Sequence, residues 1–186
     1  TKRSFYGILH VVQYDEPASV LGLDDLADLI PFSDNSDPLN QKISYRDLKN
    51  GRILHGRQFL TDSLRHLATT YFGTHSGVGV LLEQFPRAEN RRVAIVGLGT
   101  GTLATYGEWG DLFRFYEINP QVVEIAEKHF TYLSDSSAEI EVVLGDARLS
   151  MEVHPEPQQY DILALDAFSG DAIPVHLLTL EAVQLY

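Results

Sequence analysis

Four short stretches of this chain carry residues whose types and spacing could do chemistry. Gly97-Leu98-Gly99-Thr100-Gly101 is a glycine-rich run in which the backbone can turn sharply and come close to a ligand. If a strand feeds it and a helix leaves it, the helix N-terminus adds unpaired N–H groups to the same spot. Thr102 stands where a dinucleotide fingerprint has its third glycine, which weakens a nicotinamide reading. Glu117 follows Gly97 by twenty residues, a separation at which an acid can accept hydrogen bonds from both hydroxyls of an adenosine ribose. Capping of the following helix is the competing role, and Asn119 is better placed for that. Asp146, within Gly145-Asp146-Ala147, and Asp166 complete the set, with helix capping again the structural alternative.

These residues need a scaffold that brings them to one place. After Arg92 the chain shows short continuous apolar runs at 93–96, 112–116, 140–144 and 160–165, as expected of strands buried on both faces. Helical patterns at 102–109, 120–130 and 147–153 separate them. Strand and helix alternating at this spacing predict a parallel, doubly wound sheet. Such sheets bind ligands at the carboxyl ends of their strands, so the glycine loop and the three acids should converge on one crevice.

Upstream the pattern has period two instead. Residues 5–12 and 43–48 read as strands, and Asn50-Gly51 supplies a turn from which 52–59 returns. Between them, residues 14–40 hold seven acids, three prolines and no Lys or Arg, and read as an exposed acidic insertion with one short helix near 23–30. Residues 77–85 read as a short amphipathic helix. A boundary at 86–90 then divides an N-terminal unit, 1–86, from a nucleoside-binding unit, 87–186. From Pro174 a last helix, apolar and periodic, runs to Tyr186; four parallel strands with an unfinished helix suggest a domain that continues.

Composition narrows the function classes. The chain has 186 residues, 44% apolar and 22% charged, with 14 Lys plus Arg against 26 Asp plus Glu, a net charge of −12. That balance lacks the basic footprint of a nucleic-acid binder. No cysteine is present, so disulfides, thiolate metal sites and a cysteine nucleophile are excluded. No apolar run is long enough for a membrane span, and the first residues lack a signal-peptide pattern. Among the histidines, His55 reads as a strand residue, His75 as a turn and His176 as part of the last helix; none is spaced for a metal, and no metal is expected. Arg91-Arg92 reads as a solvated pair, and Trp109 and Phe113 as packing residues.

Taken in order, Ser4-Phe5-Tyr6-Gly7, Asn50-Gly51 through His55-Gly56-Arg57-Gln58, Tyr71-Phe72, the glycine loop, Tyr116-Glu117-Ile118-Asn119-Pro120, Gly145-Asp146-Ala147-Arg148 and Tyr160-Asp161 to Pro174 resemble the spermidine synthase (polyamine aminopropyltransferase) family. The resemblance is to its divergent members, some of which are fused to membrane transporter domains, on the S-adenosylmethionine-dependent methyltransferase fold. It implies an α/β architecture: a Rossmann-like parallel sheet, incomplete at its C-terminus, preceded by a small antiparallel β domain. It also implies aminopropyl transfer from decarboxylated S-adenosylmethionine to a small polyamine-type amine, in a cytoplasmic, homodimeric enzyme without a metal. By position, Gln58, Gly97, Gly99, Gly101, Glu117, Asp146 and Ala147 resemble the family's nucleoside contacts. Asp166 resembles the acid that deprotonates the attacking amine, and Tyr71 a tyrosine near the acceptor, with core or hairpin packing the equal alternative. Asp171, beyond the two-residue expansion, is a candidate second cation contact, with capping of the helix that begins near Pro174 the equal alternative. Three features depart from the family. Thr100 replaces the loop acid, Phe59 to His66 replaces an acidic and aromatic run after the glutamine, and Asp166 to Pro174 carries two extra residues. Methyl transfer from S-adenosylmethionine, and a non-catalytic nucleoside-binding module, are the alternative readings.

Overall fold

The computed structural model describes residues 1–4, 7–23, 38–86, 90–154, 156–168 and 172–186. Asp171, the short helix expected near 23–30, most of the acidic insertion and the centre of the expected 86–90 boundary lie outside those residues.

The period-two segments form a four-stranded antiparallel sheet in chain order: β1 (Lys2–Ser4), β2 (Gly7–Pro17), β3 (Lys42–Asn50) and β4 (Ile53–Phe59). The β2–β3 ladder runs from Leu9 opposite Asn50 to Pro17 opposite Lys42. Residues 14–17, expected in the insertion, are therefore strand. The reason is cross-strand packing, because Tyr14 stacks on Tyr45 with ring centroids 5.2 Å apart. At the β3–β4 turn Gly51 takes φ +59°, which a glycine adopts without strain. The Asn50 side chain reaches back to accept from the Ile8 amide.

The second sheet is parallel, in the order β7-β6-β5-β8, from β5 (Arg92–Val96), β6 (Leu112–Glu117), β7 (Glu139–Leu144) and β8 (Ile162–Leu165). Central strand β5 is buried from Val93 to Val96, and its alternate residues serve two cores. Val93 and Ile95 join Phe113, Phe115, Leu103 and Ala126 on one face, under α1 (Gly77–Gln84) and α2 (Pro120–His129). Ala94 and Val96 join Tyr116, Ala147 and Met151 on the other, under α4 (Ala147–Glu152). The short helix α3 (Tyr132–Asp135) follows α2. Ser76 caps α1, Asn119 caps α2 and Asp146 caps α4, each accepting from a first-turn amide. No helix among the described residues is long and apolar enough to cross a membrane.

Four sequence expectations change. The helix expected over 102–109 is only a 3-10 turn, Thr102–Tyr106, bounded by Gly101 at φ +83° and by Gly107. Trp109 consequently sits on the turn before β6, 92% exposed, instead of packing, whereas Phe113 is fully buried. The helix expected from Pro174 is a 3-10 turn, Val175–Leu177, followed by α5 (Leu180–Leu185), because the Thr179 side chain caps the Ala182 amide and starts a new helix.

The fourth is Arg91, which is not solvated. It is fully buried, donating to the carbonyls of Leu82 and Tyr106 and to Asp111 Oδ2 at 2.8 Å. Its guanidinium also lies 5.6 Å from the Phe113 ring centroid.

The two sheets meet through α2. Leu9 and Leu48 of the antiparallel sheet pack with Ile125 and Phe130, and Arg46 donates to the His129 carbonyl. This contact sets the antiparallel sheet beside the carboxyl ends of β5 and β6.

Candidate functional site

The strand ends are stitched together before any side chain is considered. The Gly97 amide donates to Tyr116 O, Gly145 N to Glu117 O, and Asp166 N to Val96 O, all at 2.8 to 2.9 Å. Gly97 has φ +104°, and a Cβ there would lie 2.6 Å from the Asp166 carbonyl oxygen. Only glycine lets the β5 and β8 ends come this close. Gly99, at φ +56°, is pinned in the same way against the His55 carbonyl of β4.

These ends floor a cleft of about 910 Å3, its open mouth included. Gly97, Gly99, Glu117, Asp146, Ala147, Asp166 and Tyr71 all line it, so the structure brings together most of the residues singled out from sequence. Glu117 closes β6, only 8% exposed. One of its carboxylate oxygens accepts from the Leu98 amide at 3.0 Å, the other from the Asn119 amide at 2.8 Å. Burial raises its pKa, and the backbone amides oppose that rise. Each oxygen keeps a lone pair for a diol, and the backbone contacts hold both in place.

Asp166 sits at the end of β8. Burial alone pushes its pKa up to about 7, which poises the carboxyl to exchange a proton near neutrality. Tyr71 is 46% exposed, beside the same crevice, and not in the core. Its hydroxyl pKa is raised by burial and, secondarily, by the Asp166 charge.

Asp146 has a double engagement. Its Oδ1 accepts from the Leu149 amide at 3.0 Å as the cap of α4, and its Oδ2 lies 2.8 Å from His176 Nε2. Burial would raise the carboxyl's pKa, but the Leu149 amide and His176 outweigh it and leave it lowered. Arg148 donates to the His176 carbonyl and to Thr179 Oγ1, so α4 holds the 174–179 segment from two sides. Sequence reasoning missed His176 as a cleft residue, because thirty positions separate it from Asp146.

Two expected contacts move out of the cleft. Gln58 is 1% exposed and fully committed: its amide nitrogen donates to Arg65 O and Thr131 Oγ1, and its oxygen accepts from the Thr131 amide. It ties β4 to the start of α3 and has no group left for a nucleoside. Gly101 does not line the cleft either; its positive φ and its approach to Leu133 make it a packing position. Thr100 is likewise buried, pairing with Thr102 Oγ1 at 2.8 Å and facing Gly56.

Comparison with known proteins bears on this geometry. A polyamine aminopropyltransferase from Vibrio vulnificus (strain CMCP6) is 35% identical over 96 residues, which is 48% of this chain and 31% of that protein. Over that region the chain is similar to a polyamine aminopropyltransferase. A probable spermidine synthase from Corynebacterium glutamicum ATCC 13032 superposes with a TM-score of 0.58 at 16% identity, over 77% of this chain and 55% of that one. That likeness shows a shared fold: a Rossmann-like, methyltransferase-type parallel sheet beside an antiparallel one. No family model matches the chain. The matched region spans about a third of the curated relative and about half of the solved one.

Proposed function

We propose that this chain carries the nucleoside-binding half of an aminopropyltransferase site. The donor would be decarboxylated S-adenosylmethionine, and the acceptor a small amine of the polyamine type. The observation that carries the reading is Asp166, a half-buried carboxyl poised near neutral pH, at the same strand-end crevice as the Glu117 diol site. The acceptor amine attacks the carbon next to the sulfonium. A C–N bond forms, the C–S bond breaks, methylthioadenosine leaves as a neutral thioether, and the ammonium proton passes to Asp166. Methyl transfer to an already competent nucleophile would need no such base. No Lys or Arg lines the cleft among the described residues, so a donor that keeps its carboxylate would meet no cationic side chain of those types there. This supports the decarboxylated form.

Calorimetry with methylthioadenosine tests the binding half of the proposal. The protein should bind it, and Glu117→Ala should cost about 1.5–3 kcal/mol through lost charge-assisted hydrogen bonds, roughly ten- to a hundredfold in Kd. Unchanged affinity in that variant would remove Glu117 from the ribose.

A further inference from the structure

Asp146 is the cleft acid whose partner comes from a distant part of the chain. The strands of the parallel sheet lie in the order β7-β6-β5-β8, so Asp146, Glu117, the glycine loop and Asp166 follow one another across the cleft floor. With a ribose on Glu117 and the reacting carbon toward Asp166, the nucleobase extends the opposite way. It meets Asp146 one strand over, about 4.8 Å along the sheet. Asp146 and His176 both line the cleft, and their side chains are 19% and 49% exposed, so a ligand there reaches the pair.

The two acids are anchored differently. Glu117 is held through both oxygens by the backbone, at the Leu98 and Asn119 amides. At Asp146 the Leu149 amide accounts for Oδ1, and His176 Nε2 at 2.8 Å accounts for Oδ2. A carboxylate with a lowered pKa only accepts, so Nε2 carries the proton and donates it. His176 is itself fixed. Arg148 donates to its carbonyl at 3.0 Å, and the next residue, Leu177, is buried with its carbonyl accepting from the Tyr186 hydroxyl. An ionised carboxyl has about four acceptor sites, so with Leu149 and His176 in place Asp146 still has room for a ligand's donor.

We propose that His176 is a positioning residue for nucleobase selection. By donating to Asp146 Oδ2 it sets the carboxylate to accept from a base with an exocyclic amine and to refuse one with a carbonyl at the same point. The inference rests on the nucleoside-binding reading above and adds to it a residue that acts through Asp146. Without the imidazole the carboxyl keeps one anchor, turns more freely and takes up a proton more readily; once protonated, it can donate to a carbonyl. Selection for the amine therefore depends on the histidine.

Calorimetry with methylthioadenosine and its inosine counterpart, whose purine carries a carbonyl in place of the amine, tests this. The unaltered protein should prefer methylthioadenosine. His176→Ala should lower that preference roughly tenfold, the low end of what a hydrogen bond to a charged group contributes. His176→Gln, whose side-chain amide can donate from nearly the same point as Nε2, should restore most of it. Asp146→Asn, which gains a donor, should move the preference further toward the inosine form. Equal losses of both ligands in His176→Ala would overturn the proposal and make His176 only a fastener of the 174–179 segment. So would a His176→Gln variant as unselective as His176→Ala, or unchanged selectivity in Asp146→Asn. If the unaltered protein binds methylthioadenosine and only the ratio fails to move, the nucleoside-binding reading stands and the role of His176 is wrong. If it binds neither nucleoside, both fall.

Discussion

Asp166→Asn should lower the rate of amine transfer by roughly 10²–10⁴-fold while leaving methylthioadenosine affinity near its original value. The asparagine keeps the shape of the β8 end but cannot take a proton. The backbone contacts that fix the site, Asp166 N to Val96 O and the Asp166 carbonyl against Gly97, are unaffected by the side-chain change. A pH profile supplies the sign. A base whose pKa is raised to about 7 is protonated and inactive below that value. Turnover should therefore climb as pH rises through about 7 and then level off, and the Asn variant should lose that inflection. A full-rate variant, or an unchanged pH profile, would mean that the amine is deprotonated elsewhere.

The second large effect concerns stability. Asp111→Ala should destabilise the fold by about 3–5 kcal/mol, because it strips the partner from an arginine with no route to water. Arg91 would keep its carbonyl contacts to Leu82 and Tyr106 but lose the carboxylate that balances its charge. At this chain length each kcal/mol corresponds to roughly 2–4 °C in Tm. Thermal melting of the single variant, and of Arg91→Leu with Asp111→Leu together, reads the effect. The double change removes both charges and should recover much of the loss. A single variant that melts with the parent would show that the pair is hydrated. Since Arg91 directly precedes β5, which feeds the glycine loop, the same variant should also weaken nucleoside binding.

Much of this was legible in the sequence for a local reason. Continuous apolar runs mark strands buried on both faces, and β5 to β8 sit where those runs predict. Gly97, Gly99, Glu117, Asp146 and Asp166 fall at strand ends, and a parallel sheet collects its strand ends on one side. The misses come from forces that act across distance. Arg91 beside Arg92 looks like a solvated pair until Asp111, twenty residues on, is seen to balance it. Period-two counting along β4 fails at His55, because a bulge shifts every later side chain to the other face. That shift explains Gln58, which turns to Thr131 and Arg65 instead of the cleft. The one local trace of the bulge is Gly56, whose φ of +155° is a conformation that L side chains rarely adopt. His176 and Asp146 meet only because Arg148 and the α4 cap hold the 174–179 segment in place.

The central claim is the chemistry of transfer, and identification of the nucleoside product reads it most directly. Protein incubated with decarboxylated S-adenosylmethionine and putrescine, then analysed by mass spectrometry, should release methylthioadenosine together with an amine three carbons and one nitrogen longer than the acceptor. Incubation with ordinary S-adenosylmethionine and the same amine should release no S-adenosylhomocysteine. The opposite pattern, S-adenosylhomocysteine with a methylated acceptor and no methylthioadenosine, would contradict the account.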